Sequence, residues 1–246
     1  MNICVVGYKG FVGSAVYDYL LKGSQFGNIV GIGSQTPDCL SFFDVVVNCA
    51  GVGSRINTSR FYDKACLTEE TILERIKGMN YHRLIHVSSV DTELNPSFPY
   101  AQLKIRMENE YKQLVQPPSR LVILRLGGIV GKGLKKNVVF DILTDSTIYI
   151  TSNSVCNYIS TYDVAKIVSL IIEKKSLNGT MNVAAKDSIT VEEICHICKK
   201  NPVQFGPGRE KYFVNIDKLR EFFKPKSSSC YIKEVRDLYN SGKLAW

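Results

Sequence analysis

The N-terminal stretch NICVVGYKGFVG constrains the fold most, because a short apolar strand runs directly into glycines spaced GxxGxxG. A helical pattern follows at residues 11–22. Glycines let a backbone turn sharply and approach a pyrophosphate, and a helix N-terminus offers free N–H groups and partial positive charge. A strand, a glycine loop and a helix in this order favour dinucleotide binding over a purely structural turn. The loop residues predicted to contact the cofactor are Gly7, Lys9, Gly10, Phe11, Val12 and Gly13.

Strand and helix patterns alternate through the first half of the chain. This alternation predicts an α/β fold with a doubly wound parallel sheet of the Rossmann type. Continuous apolar runs such as VVVNCA favour strands that are buried on both faces. The predicted strands cover residues 2–7, 28–33, 43–51, 84–89 and 120–128, and the predicted helices cover residues 11–22, 67–78 and 100–114.

The alternation weakens after about residue 130, which predicts a small C-terminal lobe. Helical patterns occur at 163–174 and 190–200, and residues 211–223 read as a strand running into a helix. The sequence therefore predicts a dinucleotide-binding Rossmann domain and a small substrate-binding lobe. We assign residues 1–130 and returning segments near 155–185 to the first, and residues 131–154 and 186–246 to the second.

Composition indicates an ordinary globular protein, with 45% hydrophobic and 22% charged residues. The formal net charge of +8 fits an anionic small ligand, a nucleic acid or a membrane surface without choosing among them. We expect no nucleic-acid partner, since no stripe of stacking aromatics or RNA-binding motif appears. We expect no membrane partner, because no apolar run reaches the roughly 18 residues of a span.

Eight cysteines are scattered mostly through apolar stretches, which favours reduced core residues of a cytoplasmic protein. Cys195 and Cys198 form a CxxC pair within TVEEICHICKK. We interpret this pair as part of a helix packed on the core rather than as a redox or metal site, because no second CxxC or close histidine pair completes a zinc set. No metal is predicted.

The segment YAQLK places a phenol and an amine four residues apart, on one face of a predicted helix. Ser88 and Ser89 end the strand before it. A free tyrosine has a pKa near 10, and a lysine one turn away is expected to lower the pKa of Tyr100 toward neutrality. Tyr100 and Lys104 are therefore predicted to act as an acid–base pair, the alternative being a surface pair.

The second predicted strand ends in Gly33-Ser34-Gln35-Thr36, without the acid that often binds the adenosine ribose. An acid there would repel a 2′-phosphate, and Lys9 in the glycine loop is suited to pair with one. These observations favour NADP(H) over NAD(H). Ser34 is included among the predicted cofactor contacts.

These motifs together resemble the extended short-chain dehydrogenase/reductase superfamily, in its nucleotide-sugar epimerase, dehydratase and reductase branch. GYKGFVG resembles the phosphate loop of that family, and VVVNCAG resembles the strand whose end borders the adenine and ribose. HVSS followed by YAQLK resembles its Ser/Thr, Tyr and Lys set. LRLGGIVGKG, NYISTYDVAKIV and GTMNVAAKDSITVEEI resemble later segments of the family in the same order.

The resemblance implies roles for particular residues. Ser89 is chosen over Ser88 because the family's catalytic hydroxyl is the second of the pair, and Lys104 is implied to bind the nicotinamide ribose. Ala50 and Gly51 are implied to border the cofactor. The family's substrate-side asparagine and arginine fall at Gly128 and near Asn157, and its asparagine in the helix before the catalytic strand falls near Ala65. The substrate residues predicted here are Arg55, Gly128, Asn157 and Arg209.

The compact form resembles the reductases of bacterial cell-surface polysaccharide pathways, such as the dTDP-4-dehydrorhamnose reductases. The predicted function is NADP(H)-dependent reduction of a keto nucleotide sugar, with the proton given by Tyr100. Two alternatives stay open: a nucleotide-sugar epimerase that retains its NAD(P), and a non-catalytic dinucleotide-binding regulatory or scaffold protein. The resemblance also implies a homodimer, with the Tyr100 helix in a helical bundle.

Overall fold

The computed structural model describes residues 1–23, 25–36, 41–201 and 204–244. Its strands are β1 (Asn2–Val6), β2 (Asn28–Ile32), β3 (Phe42–Asn48), β4 (Asn80–Ser89), β5 (Leu121–Leu126), β6 (Gly128–Val130), β7 (Ile148–Ile150), β8 (Val155–Cys156), β9 (Tyr158–Ser160), β10 (Gly179–Val183), β11 (Ile189–Thr190) and β12 (Phe205–Gly208). Its helices are α1 (Phe11–Lys22), α2 (Arg55–Arg60), α3 (Tyr62–Lys77), α4 (Asp91–Leu94), α5 (Pro99–Leu114), α6 (Val138–Leu143), α7 (Thr161–Glu173), α8 (Val191–Cys198), α9 (Asp217–Arg220) and α10 (Ser228–Asn240).

Within the described residues, the main sheet has six strands in the order β10-β5-β4-β3-β1-β2. The pairings of β1 with β2, β1 with β3, β3 with β4 and β4 with β5 are all parallel. Val5 lies opposite Gly31 on one side and Val47 on the other. The chain steps from β1 outward to β2 and returns to β3, so the strand order reverses beside β1. The predicted doubly wound sheet is therefore confirmed, and such folds bind ligands at this point of reversal.

The chain divides into two compact units. Unit 1 comprises Met1–Leu126 and Val164–Met181, and unit 2 comprises Gly127–Asp163 and Asn182–Trp246. In unit 1, side chains of α3 and α5 pack with the sheet strands into one hydrophobic cluster that includes Val46, Leu73 and Leu103. Burial of such a side chain contributes about 1.5–3 kcal/mol, so this cluster holds the two helices against the strand ends that carry the polar residues.

Unit 2 is built from short strand pairs and helices. β6 pairs with β9 and β12 with β7 in parallel, and β11 pairs with β8 in antiparallel fashion. Helix α8 begins with a capping box, in which Thr190 and Glu193 each satisfy a backbone N–H of the other. Cys195 and Cys198 are buried on this helix, and burial raises the pKa of the Cys198 thiol to about 11.

Some predicted elements differ from the structure. Helix α3 begins at Tyr62, five residues before the predicted start. The strand predicted at the start of 211–223 is wrong: Lys211 makes an isolated bridge with Val155, and Phe213 is 66% exposed. Alternating apolar residues form a strand only where a neighbouring strand pairs with them, and the short helix α9 then ends this segment. Among the described residues, none of the helices combines the length and the apolar character needed to cross a membrane.

Candidate active site

The glycine loop brings the ends of β1 and β3 together. A Cβ atom on Gly7 would lie 2.7 Å from the backbone nitrogen of Ala50, and the φ angle of Gly7 is +80°. A Cβ atom on Gly13 would lie 2.1 Å from the carbonyl oxygen of Gly7. Side chains at either position would therefore force this backbone apart, which explains why both positions are glycine.

Helix α1 begins directly after this loop, with its N-terminus open. Its N-cap is Gly10, which has no side chain to accept a bond from the first turn, and the first turn carries no acid. The first N–H groups of a helix have no partner within the helix, so those of Phe11, Val12 and Gly13 can receive an anion. The cradle that a Cβ would fill and the uncapped helix fit the pyrophosphate of a dinucleotide.

Positive and aromatic side chains surround the end of β2. The ring of Tyr8 covers Gly31, where a Cβ would lie 2.6 Å from the ring, and the Lys9 ammonium lies 5.5 Å from the ring centre. Arg75 of α3 donates to the carbonyl oxygen of Gly33 at 2.7 Å and also binds the Thr36 carbonyl. Sequence reasoning missed Arg75, because a residue 42 positions away is brought to this strand end only by the packing of α3.

Ser34 and Ala50, two of the predicted cofactor contacts, lie in the turns that follow β2 and β3. Ser34 lies exposed in the turn after β2. The backbone nitrogen of Ala50 donates to the Asn48 side chain at 3.1 Å, which fixes the turn after β3. Gly51 follows with a φ angle of +138°, and a Cβ there would lie 3.0 Å from the Lys104 ammonium. The turn at the end of β3 therefore packs against the glycine loop through Ala50 and against Lys104 through Gly51.

The two serines at the end of β4 point to different partners. The Ser88 hydroxyl donates to a Glu108 carboxylate oxygen at 2.7 Å, away from the tyrosine. The Ser89 side chain forms a hydrogen bond with the phenol of Tyr100. Pro99 is the first residue of α5, a position that suits a residue without an N–H, so Tyr100 lies in the first turn of the helix. The structure thus brings Ser89 next to Tyr100, whereas Ser88 is hydrogen-bonded to Glu108.

Lys104 lies one turn beyond Tyr100 and is almost fully buried. Its ammonium lies 5.8 Å from the centre of the Tyr100 ring and 2.6 Å from Oε1 of Glu69, a fully buried carboxylate on α3. The same oxygen accepts the backbone N–H of Val52 at 3.0 Å. Burial by itself would lower the pKa of Lys104, but the charge and hydrogen bond of Glu69, together with Tyr100 and the charge of Glu108, act in the opposite direction, so this pKa is raised.

Glu69, the buried ion-pair partner of Lys104, is the main residue of this cluster that sequence reasoning missed. A signal for it was present, since Ala65, Glu69, Leu73 and Ile76 form the buried stripe of α3 at helical spacing. An acid within such a stripe needs a buried partner. The predicted helix began at residue 67, so it left out Ala65, the first residue of this stripe.

Lys104 lowers the pKa of Tyr100, as expected, but burial of the phenol outweighs this effect. Burial raises this pKa, the charge of Lys104 lowers it, the charge of Asp91 raises it, the Ser89 hydrogen bond lowers it and Glu69 raises it. Burial is the largest of these effects, so the net direction is upward, and the Asp91 and Glu69 carboxylates add to the rise. Tyr100 is therefore protonated at neutral pH, and it is available as a proton donor.

Arg55 joins this cluster through Asp91. The Arg55 Nε atom lies 3.9 Å from a carboxylate oxygen of Asp91, and its guanidinium lies 5.7 Å from the centre of the Phe98 ring. The backbone N–H of Asp91 donates to the Ser89 hydroxyl at 3.2 Å. One-third of the Arg55 side chain remains exposed. The guanidinium thus lies beside the Ser89–Tyr100 pair with part of its surface open.

The substrate residues predicted in unit 2 have mainly structural surroundings. Asn157 is 3% exposed, and its amide donates to the carbonyls of Ala185 and Asp187 and accepts the Ala185 N–H at 2.8 Å. A Cβ on Gly128 would lie 2.6 Å from both the Asn157 carbonyl and the Tyr158 ring. Gly128 and Asn157 therefore pack and hydrogen-bond within unit 2, and their substrate contacts stay a prediction. Arg209 is exposed directly after β12.

Metal ligands do not cluster in the part of the chain that the structure describes: no group of three or more His, Cys, Asp or Glu side chains is suited to hold an ion.

Solved structures with the same fold cover nearly the whole chain. A UDP-glucuronic acid 4-epimerase variant from Bacillus cereus, bound to NAD and a fluorinated UDP-sugar, matches with a TM-score of 0.81 and 18% identity over 98% of this chain and 99% of that chain. A dTDP-4-dehydrorhamnose reductase from Clostridium acetobutylicum matches with a TM-score of 0.77 and 19% identity over 98% and 100%. A dTDP-glucose 4,6-dehydratase from Bacillus anthracis in complex with NAD matches with a TM-score of 0.74 and 16% identity over 99% and 97%.

The chain therefore has the Rossmann fold that these three nucleotide-sugar enzymes share. The resemblance seen in the sequence is confirmed at the level of the fold. The sequence itself matches no protein-family model and no curated protein. The three similar structures are an epimerase, a reductase and a dehydratase, so the shared fold does not select one reaction, and function has to be argued from the site.

Proposed function

We propose that the protein is an NADP(H)-dependent reductase of a keto nucleotide sugar. The observation that carries the proposal is one continuous set of contacts in unit 1. It runs from the open glycine loop through Gly51 to Lys104 and Tyr100, and it ends at the Ser89 hydroxyl. A dinucleotide cradle beside a buried acid–base pair is the arrangement that carbonyl reduction needs. The solved structures with this fold include a sugar-nucleotide reductase.

When bound, the nicotinamide dinucleotide supplies hydride. Gly7, Gly10 and Gly13 give its pyrophosphate room, and the N–H groups at the start of α1 bind its charge. Lys104 binds the ribose next to the nicotinamide, while Ala50 and Gly51 border the cofactor. Lys9 binds the 2′-phosphate at the acid-free end of β2, assisted by the nearby positive charge of Arg75.

Tyr100 donates the proton that the carbonyl oxygen requires when the ketone becomes an alcohol. The upward direction of its pKa keeps this proton in place at neutral pH. Ser89 holds the same oxygen by a hydrogen bond and stabilises the charge that develops on it. Arg55, partly exposed beside this pair, binds an oxygen of the sugar nucleotide, and Arg209 is proposed to pair with the diphosphate.

The proposal keeps three further expectations from the sequence. The C-terminal lobe predicted at residues 131–154 and 186–246 binds the sugar nucleotide, and the protein is a cytoplasmic homodimer with α5 in a helical bundle. The reduced sugar nucleotide is a precursor for polysaccharide synthesis. Size measurement in solution tests the dimer.

The deciding experiment combines binding and turnover. Thermal unfolding is measured with NADPH, with NADH and without ligand, because a ligand at about 100 times its dissociation constant adds about 2.7 kcal/mol of stability. We expect the larger increase with NADPH. Consumption of NADPH is then followed with UDP- and dTDP-4-keto sugars. Net consumption that requires the keto sugar supports the reductase.

A second candidate function is supported by the epimerases with this fold, one of which binds NAD together with a UDP-sugar. An epimerase holds its dinucleotide throughout turnover. A stoichiometric dinucleotide released on denaturation, with sugar interconversion and no net NADPH consumption, favours this candidate. Dinucleotide binding without turnover instead favours the non-catalytic regulatory or scaffold protein.

A further inference from the structure

Lys104 is held by a partner that lies outside the predicted catalytic set. Glu69 and Lys104 are 0% and 4% exposed at their side chains, and their charged atoms lie 2.6 Å apart. The two residues come from different helices, α3 and α5, and 35 positions separate them in the sequence. Gly51 packs against both charged groups: a Cβ there would lie 2.8 Å from Glu69 Oε1 and 3.0 Å from the ammonium.

The pair has a feature that stability alone does not explain. Glu69 Oε2 is buried and, among the described residues, has no hydrogen-bond partner. An unsatisfied buried acceptor is destabilising, and a buried ion pair can often be replaced by apolar residues without loss of stability. A carboxylate held in this way beside the proposed acid–base pair therefore points to a role in the site.

Four groups from four elements act on the Tyr100 phenol. Lys104 lies on its own helix α5, Ser89 on β4, Asp91 on α4 and Glu69 on α3. Arg55 of α2 lies against the Asp91 carboxylate at 3.9 Å, so Asp91 already has a positive neighbour. Glu69 is the carboxylate bonded directly to the ammonium that most favours loss of the phenol proton.

We propose that Glu69 is a positioning residue of this site: it holds the Lys104 ammonium and offsets its charge, so that Tyr100 keeps its proton and donates it. This inference rests on the proposed function and deepens it. A buried lysine without this counter-charge would draw the proton from Tyr100 and favour a base. With Glu69 in place, the site favours giving a proton to a carbonyl oxygen, as reduction requires.

The test uses Glu69→Gln, because glutamine keeps the shape and the acceptor oxygen but removes the charge. Glu70→Gln is the matched control. Glu70 is the next residue on α3, and its ion pair with Arg106 of α5 has the same 2.6 Å length, but both side chains are exposed. Each variant therefore removes one carboxylate charge from an ion pair between α3 and α5. Glu69→Gln changes the buried pair, and Glu70→Gln changes the exposed pair.

The measurement is a pH titration of phenolate absorbance in cofactor-free protein. Each protein is compared with the same protein carrying Tyr100→Phe, and the difference isolates Tyr100 from the other tyrosines. We expect Tyr100 in Glu69→Gln to titrate about one to two pH units lower than in the wild type, because the lysine charge is no longer offset. Glu70→Gln should titrate like the wild type. An unchanged Tyr100 titration in folded Glu69→Gln would overturn the inference.

A second variant keeps the test decisive if the single variant does not fold. Glu69→Gln combined with Lys104→Gln removes both buried charges and leaves no lone ion. If the charges offset each other, Tyr100 in this double variant titrates close to its wild-type position. A large upward displacement would show that Lys104 acts on Tyr100 without a counter-charge, which contradicts the proposal.

Turnover gives an independent readout. Reduction needs protonated Tyr100, so kcat/KM falls as the pH rises through the pKa of Tyr100. A lower pKa moves this fall to lower pH in Glu69→Gln, by the same amount as the titration. Because the titration needs neither cofactor nor substrate, the two proposals fail separately. An inactive protein with the expected titration contradicts only the reductase, and an active reductase with an unchanged titration contradicts only the role of Glu69.

Discussion

The glycine loop and the Tyr100–Lys104 region form the two halves of the proposed site, and they are built in opposite ways. The loop offers backbone groups, and its geometry follows from local steric limits at Gly7 and Gly13. The tyrosine region offers side chains whose charges depend on partners from β4, α3 and α4. A backbone binding loop can thus be encoded by about ten consecutive residues. The proton affinity of Tyr100, by contrast, depends on residues from segments that are distant in the sequence. Four variants test this difference, beginning with the largest expected effect.

Tyr100→Phe should reduce turnover about 100-fold to 10,000-fold, the usual contribution of a positioned general acid, while NADPH binding is unchanged. Turnover and cofactor binding are measured on the same preparation. Tyr111→Phe is the matched control, because Tyr111 is a buried tyrosine on the same helix whose hydroxyl accepts a hydrogen bond from Asn48. It should lose stability and keep turnover. Activity of Tyr100→Phe within tenfold of the wild type would remove the catalytic role.

Glu69→Ala should destabilise the fold by about 3–5 kcal/mol, because it leaves the Lys104 ammonium buried without a partner. Glu70→Ala breaks an exposed pair between the same helices and should cost less than about 1 kcal/mol. Urea unfolding of both variants measures the difference. Equal effects would mean that water reaches the Glu69–Lys104 pair, and the tyrosine region would then resemble an ordinary protein surface.

Gly13→Ala should displace the loop and abolish dinucleotide binding, with a loss of about 1–3 kcal/mol in stability from overpacking against the Gly7 carbonyl. Gly78→Ala is the control, since the nearest atom to a Cβ there lies at 3.6 Å and its backbone is helical. Calorimetric binding of NADPH distinguishes the two variants. Normal binding by Gly13→Ala would mean that the loop does not receive the pyrophosphate.

Lys9→Ala should produce the smallest effect, a decrease of about tenfold in NADPH affinity with little change for NADH, as expected for one exposed charged hydrogen bond. Lys22→Ala removes an exposed lysine from the other end of α1 and should leave both affinities unchanged. The ratio of the two dissociation constants is the relevant measurement. An equal loss for both cofactors would assign Lys9 to the pyrophosphate rather than to the 2′-phosphate.

Much of the fold could be predicted from the sequence, because the elements of unit 1 have strong local signals. Helix α1 spans the predicted residues 11–22, and α5 begins one residue before the predicted start at Tyr100. The segment at 211–223 was less predictable. Its alternation of apolar residues suits a strand, but strand formation requires a pairing partner that the sequence does not specify.

The sequence by itself determined the glycine loop, the parallel sheet and the spacing of Tyr100 and Lys104 on one helical face. These features follow from steric limits and periodicity within single segments. Only the tertiary structure brought Glu69 to Lys104, separated Ser88 from Ser89, and placed Arg75 at the end of β2. It also decided the net direction of the Tyr100 pKa, because burial of the phenol outweighs the lowering by Lys104. The reason is physical: burial and charge act through space, so the proton affinity of a group depends on neighbours from distant segments.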